Sequence, residues 1–279
     1  RRAEAASELL LRRSVRRSLT EWSRLNGFEP AAHHKLLIDR LEAVTRGEID
    51  RLAIFMPPGS AKSTYTSALF PPWYLAQNPA KMVIAASHTA ELAERWGRRV
   101  RNLVAEHSPR LGYAIAADNQ AAGRWATSAD GEYYAAGVGG SITGRRADLV
   151  VIDDPVRSRE DAESETVREK VWDWYRADLI TRLKPGAAVV LVQCMVGDTQ
   201  VMMADGTQKE LRDIRPGDLV ATYDDGRLTA SRVMNWANQG PDKTHSIKTS
   251  SGTIVRANAR HPFLTSSGTI VRANARHPF

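Results

Sequence analysis

The sequence predicts an α/β fold, a parallel sheet with flanking helices, followed by a partial all-β module. Three observations carry this. Up to Gln193, short apolar runs alternate with helix-periodic stretches, the pattern of a parallel sheet covered by helices. A loop of small residues ending in Lys62-Ser63-Thr64 follows the first buried run. Beyond Cys194, the only cysteine, short β-type runs are punctuated by Asp205-Gly206, Pro216-Gly217-Asp218 and Asp224-Asp225-Gly226. Those are turn signals at roughly the 8–12-residue spacing of an all-β module. Three regions are therefore expected: 1–48 helical, 49–193 α/β, and 194–279 the β module.

Taken in order, Leu9, Leu10, Val15 and Leu19 recur at near-helical spacing among Arg and Glu, and His33 to Val44 places Leu36, Leu37, Leu41 and Val44 on one face. Arg51 to Met56 is an apolar run stopped by Pro57-Pro58, as a buried strand entering a loop would be. Lys81 to Ala86 repeats the pattern, and Thr89 to Ala105 carries helix signals. Glu132 to Ala136 and Asp148 to Asp153 read as strands, Ser164 to Leu183 as one helix, and Ala187 to Val192 as a last buried strand.

Composition narrows the class. With 279 residues the chain has room for about two domains. No apolar run reaches the roughly 18 residues of a membrane span, so no membrane partner is expected. The start, Arg1-Arg2-Ala3-Glu4, has no apolar segment of a secretory signal. A single cysteine excludes an internal disulfide framework and fits a reducing compartment, here a cytoplasm. The net charge of +7 permits a polyanion partner such as DNA without requiring one.

The loop Pro57-Pro58-Gly59-Ser60-Ala61-Lys62-Ser63-Thr64 has the parts of a phosphate cradle: small Gly59, Ser60 and Ala61 for close backbone approach, Lys62 for charge, and the Ser63 hydroxyl for a metal. The strict pattern G-x-x-x-x-G-K-S/T fails at Met56 and at Ala61. On the loop alone, a Pro-Gly turn capped by a surface lysine is the better reading. The run Leu149-Val150-Val151-Ile152 ending in Asp153-Asp154 shifts the balance. Two carboxylates at a strand tip suit a Mg2+ ligand and a water-activating group in ATP hydrolysis. An ordinary strand with an acidic turn would not explain their position about 90 residues after a lysine-serine loop, also at a strand end, where α/β sheets bind ligands.

The segments "RLAIFMPPGSAKST", "GVGGSITGRRADLVVIDDP" and "VREKVWDWYRADLITRLKPGAAVVLVQ" resemble the ATPase domain of phage large terminase subunits, a P-loop NTPase fold. The resemblance covers most of residues 1–193. It implies an ATP-driven motor moving double-stranded DNA into a prohead in the host bacterial cytoplasm, homo-oligomeric when packaging, with the portal and the small terminase subunit as partners. It makes Lys62 the phosphate contact and Ser63 and Asp153 the Mg2+ ligands. Asp154 becomes the catalytic carboxylate, with Gly59 to Thr64 holding ATP. Gly137 to Gly144 with Arg145-Arg146 match a loop that fits a phosphate or DNA contact or a plain turn with solvated arginines. The coupling segment T-R-W-H-E-D-D expected after Gln193 and a C-terminal nuclease are not in this sequence, and no arginine finger is identified.

The segments "CMVGDTQVMMADGTQKELRDIRPGDLVATYD" and "GTIVRANARHPFLT" resemble the first half of an intein Hint domain. That implies attack of the Cys194 thiol on the Gln193 carbonyl, with His261 transferring a proton. Asn258 stands where inteins usually carry threonine; an amide can still donate to an oxyanion. A buried small hydrophobe for Cys194 and a surface His-Pro turn for His261 are the plain alternatives. The His-Asn ending that completes splicing is not present. Thr249 to Phe263 recurs unchanged as Thr265 to Phe279, and two identical copies fit a sequencing or assembly artefact better than the alternative, a real tandem strand repeat. Two alternatives remain open: a Hint self-processing protein with an inactive ATPase remnant, and another P-loop DNA-dependent ATPase of helicase type.

Overall fold

The computed structural model describes residues 2–56, 59–157, 161–162, 164–194, 200–224, 227–233, 244–248, 254–258, 262–264 and 270–272. The chain divides into two compact units, Arg1–Ile54 with Lys62–Gln193, and Phe55–Ala61 with Cys194–Phe279.

Three helices open the first unit: α1 (Arg2–Arg17), α2 (Leu19–Leu25) and α3 (Ala32–Thr45). Ser18 separates the first two. Its backbone is extended and its hydroxyl accepts the Glu21 N–H at 3.3 Å, satisfying a donor that the helix itself cannot. Val15, Leu19, Leu37, Leu41 and Val44 are buried as the periodicity requires, whereas Leu9 and Leu10 face outward.

Strand β1 (Arg51–Met56) leads towards the loop, which is followed by a π-helical turn, Thr64–Leu69, and helix α4 (Phe70–Gln77). Buried tryptophans tie this stretch to the N-terminal helices. Trp22 Nε1 donates to the Leu69 carbonyl at 2.9 Å, and Trp73 Nε1 to that of Val15 at 3.0 Å. Next come β2 (Met82–Ser87), α5 (Ala90–Leu111), β3 (Ile115–Ala121), β4 (Arg124–Thr127), β5 (Glu132–Gly137) and β6 (Ala147–Asp153). Helix α6 (Glu165–Asp173), a second π-helical turn (Trp174–Leu179), a 3-10 turn (Ile180–Arg182) and β7 (Leu183–Cys194) follow. The single helix expected over Ser164 to Leu183 is thus three successive helical forms, and the last strand begins at Leu183, ahead of the expected Ala187.

The seven strands form one sheet in the order β1-β7-β6-β2-β5-β4-β3. β2 runs parallel to both β5 and β6, and β6 parallel to β7. The expectation of a parallel sheet needs correction at one edge, where β3, β4 and β5 are antiparallel neighbours. Only Ala122 and Gly123 separate β3 from β4, too few residues for the crossover that parallel strands demand. Every residue of β6 is buried, as a central strand covered on both faces must be. Ile84, Val150, Ile152 and Val189 pack with Trp174 and Leu179 of the second π-helical turn on one side.

Asp148 pins the amino end of β6. It accepts from Lys81 Nζ, the Met82 N–H and Lys184 Nζ, each at 2.9 Å. Burial works to raise this carboxyl, and the bonds from Lys81 and Lys184 outweigh it, holding Asp148 below the usual carboxylate range. At the other end, the pairings Ser87↔Asp153 and Asp153↔Val192 bring the carboxyl ends of β2, β6 and β7 into line.

In the second unit four strand pairs follow one another: β8 (Gln200–Met202) with β9 (Gln208–Glu210), β10 (Leu219–Asp224) with β11 (Arg227–Arg232), β12 (Thr244–Lys248) with β13 (Ile254–Asn258), and β14 (Pro262–Leu264) with β15 (Ile270–Arg272). Each pair is antiparallel. Among the described residues no helix is long and apolar enough to cross a membrane.

Candidate functional site

β1 aims the chain at the loop. Pro57 and Pro58 lie outside the described residues. Gly59 has φ +81° and Ala61 φ +58°, both in the left-handed region. That geometry explains why a glycine is usual where Ala61 stands, since a Cβ there is strained by about 1–2 kcal/mol. Ser60 is half-buried. The chain then turns helical at Lys62, whose side chain is buried, and at Ser63. Thr64 begins the π-helical turn, and Thr66 Oγ1 donates back to the Lys62 carbonyl at 2.9 Å.

β6 delivers the acids. Asp153, its last residue, is buried, and Asp154 lies just beyond in a left-handed conformation with φ +47°. The Asp154 N–H donates to the Val192 carbonyl at 2.8 Å, so β7 holds the kink. The structure joins loop and acids directly. Ser63 Oγ donates to Asp153 Oδ1 at 2.8 Å, and Lys62 Nζ lies 3.7 Å from Asp154 Oδ2. Four of the residues singled out from sequence, Lys62, Ser63, Asp153 and Asp154, therefore form one cluster.

Two members were not foreseen. Ser67 Oγ donates to the other Asp153 oxygen at 2.9 Å. Its signal was the four-residue spacing from Ser63, which puts both hydroxyls on one helical face. His88, directly after β2, brings Nδ1 to 3.1 Å from the Asp154 carbonyl oxygen; only the sheet order places it there.

The electrostatics centre on Asp153. Burial pushes its carboxyl up to about 6, and the charge of Asp154 adds to this, while the Ser63 and Ser67 hydroxyls and the Lys62 ammonium pull back. Neighbouring Tyr133 is also buried, and its phenol is driven upward by burial and then by Asp153. A carboxylate that poorly tolerates its own charge, beside a lysine and two hydroxyls, is a place where a cation would be welcome. Arg145 donates to Glu132 at 3.3 Å and stacks on Tyr134 at 5.0 Å, while Arg146 is exposed.

For the other candidate centre, Cys194 is the last residue of β7, and Asn258 ends β13 opposite Thr244. Their side chains, and all of His261, lie outside what the structure describes.

A family model described as "Terminase large subunit, T4likevirus-type, N-terminal" matches residues 54–211, a span that includes the loop and the acids and runs past Cys194. The HK97 bacteriophage large terminase structure aligns with 66% of this chain and 36% of its own, at 12% identity and a TM-score of 0.38. A large terminase from a thermophilic bacteriophage aligns over 55% and 38% respectively, at 13% identity and a TM-score of 0.34. Warthog protein 1 of Caenorhabditis elegans is 37% identical over 71 residues, 24% of this chain and 14% of that protein. The chain thus spans less than two fifths of each of these proteins.

Proposed function

The chain belongs to the terminase large subunit N-terminal family, and on that premise we propose that its loop-and-acid cluster binds and hydrolyses ATP to drive double-stranded DNA into a phage prohead. The observation that carries this is the 2.8 Å contact between Ser63 Oγ and Asp153 Oδ1. Adjacent oxygens of an octahedral Mg2+ site, with bonds of roughly 2.0–2.1 Å, stand about 2.9 Å apart, so this donor pair fits the ion. Among the described residues no group of three or more His, Cys, Asp or Glu side chains is arranged to hold a metal ion by itself. Mg2+ commonly takes only one or two protein oxygens beside phosphate and water. Bound there, Mg2+ would neutralise phosphate charge.

The protein groups then divide the work. Loop N–H groups and Lys62 orient the β- and γ-phosphates. Asp154 accepts the proton of the attacking water as its oxygen bonds to the γ-phosphorus. The bond to the ADP oxygen breaks in the same displacement, and Lys62 balances the charge left behind. Lys62→Ala is expected to lower the rate about 10²–10³-fold, measured as phosphate release with and without duplex DNA. Hydrolysis persisting in that variant would sink the reading. Stimulation by duplex together with portal and prohead favours a packaging motor, and strand separation a helicase-type ATPase.

A second reading concerns Cys194. It is supported by the run of antiparallel strand pairs that follows Cys194, the texture of a Hint module. In it the thiol attacks the Gln193 carbonyl. The C–N bond breaks, a thioester forms, and the thiol proton ends on the freed Cys194 amine. Asn258 would steady the oxyanion, and His261 would carry the proton. An added thiol should release residues 1–193 from the wild-type chain but not from Cys194→Ala. Equal cleavage in the two would dismiss the idea.

A further inference from the structure

Helix α5 concentrates positive charge along one face. Arg95, Arg98, Arg99 and Asn102 fall at spacings of three and four residues and line, with Leu103 and Glu106, an open concavity of about 260 Å³. Like charges at these spacings repel. Glu91 and Glu94 stand four residues before Arg95 and Arg98, the spacing at which ion pairs form on a helix, yet no such pair is made among the described residues. Arg99 is clamped from behind, its guanidinium 5.8 Å from the rings of both Phe28 and Trp96. Burial, and then the charge of Arg95, depress its affinity for a proton. Three guanidinium groups are thus held close together, one of them preset by aromatic packing.

We infer that this face of α5 binds the sugar-phosphate backbone of duplex DNA. Arginine forks match phosphate oxygens in pairs of hydrogen bonds, and the line from Arg95 to Asn102 runs about 10 Å along the helix axis, the reach of a few successive phosphates rather than of one small anion. No base-reading element is required, so contact here would be independent of sequence. Glu106, exposed at the far end and 3.7 Å from His107 Nε2, limits the patch in that direction. This inference rests on the DNA partner proposed above and assigns it a surface.

The test uses the full chain and a short labelled duplex in an anisotropy titration between about 50 and 200 mM salt. The double variant Arg95→Ala/Arg98→Ala exchanges two exposed helix positions for a good helix former. It should bind more weakly at every salt concentration, with a slope of log affinity against log salt shallower by roughly 1.8, about 0.9 per lost phosphate contact. The comparison variant Arg46→Ala, at an exposed arginine paired with Glu48, should leave the slope near that of the wild type. Unchanged affinity and slope in the double variant, with binding intact in the wild type, would overturn the α5 assignment and leave the DNA partner standing. An equal drop for Arg46→Ala would overturn it too, because attraction would then be diffuse. Absence of duplex binding by the wild type would remove both.

Discussion

Asp153 is the residue on which the candidate site turns. Its carboxyl is raised to about 6 from an ordinary value near 3.8, so the folded chain holds that proton more tightly than the unfolded one. The associated stability is complete below about pH 4 and is lost as pH rises through 6. Asp153→Asn removes the buried charge. It should match the wild type near pH 4 and exceed it above pH 7 by roughly 3 kcal/mol, taking about 1.4 kcal/mol per pKa unit; denaturant titrations at the two pH values check this. On the proposed reading, in which Asp153 holds Mg2+, the same protonation competes with the ion. Apparent Mg2+ affinity should be flat above about pH 7 and fall towards tenfold per pH unit below 6, one proton displaced per ion bound. Calorimetric titration at three pH values decides it, and a flat profile would separate Asp153 from the metal site.

At the scale of elements, α5 rests on the sheet through Gly97. A Cβ at this position would stand 2.5 Å from the Ala122 carbonyl oxygen and 3.0 Å from Tyr133 Cε1. Glycine to alanine in a free helix gains up to about 1 kcal/mol. Here the close backbone reverses the sign, and Gly97→Ala is expected to destabilise by about 1–3 kcal/mol, read as a fall in the urea midpoint with unchanged slope. Most elements were legible from their period. β1, β2, β5 and β6 lie within a residue or so of the expected apolar runs because each is bounded by turns and carries a run of apolar side chains. The β3–β4 pair was not legible. Ile115–Ala121 is largely exposed and carries little apolar alternation, so nothing in its pattern separates it from a loop. The Pro71-Pro72 pair hid α4, although proline is tolerated in the first turn of a helix.

On the scale of the whole molecule, tryptophan reports on one part. Trp22, Trp73, Trp96, Trp125, Trp172 and Trp174 belong to the first unit and only Trp236 to the second. Thermal unfolding followed by tryptophan emission should therefore track the sheet and its helices. On the proposed reading, Mg-ATP at about a hundred times its Kd would add about 2.7 kcal/mol by mass action, which for a unit of this size would raise Tm by roughly 5–10 °C. Lys62→Ala should abolish that shift, each protein being compared with its own melting temperature without nucleotide, because loss of a buried cation beside Asp153 and Asp154 lowers the starting value itself. A shift that persists in the variant would place nucleotide elsewhere.

The sequence by itself determined the alternation of strand and helix, the lysine-serine loop, and the acid pair at the end of a wholly apolar run. Those follow from burial period and turn chemistry, which are local. It also marked the change of texture at Cys194, since turn residues at short intervals need no tertiary context to be read. Only the tertiary structure decided that Ser63 and Asp153 touch, because their contact depends on β6 lying inside the sheet rather than at its edge. It likewise supplied Ser67 and His88, whose roles exist only once the strand order and the turn after the loop are fixed. The antiparallel edge was decided in the same way, by hydrogen bonds between strands too polar to announce themselves.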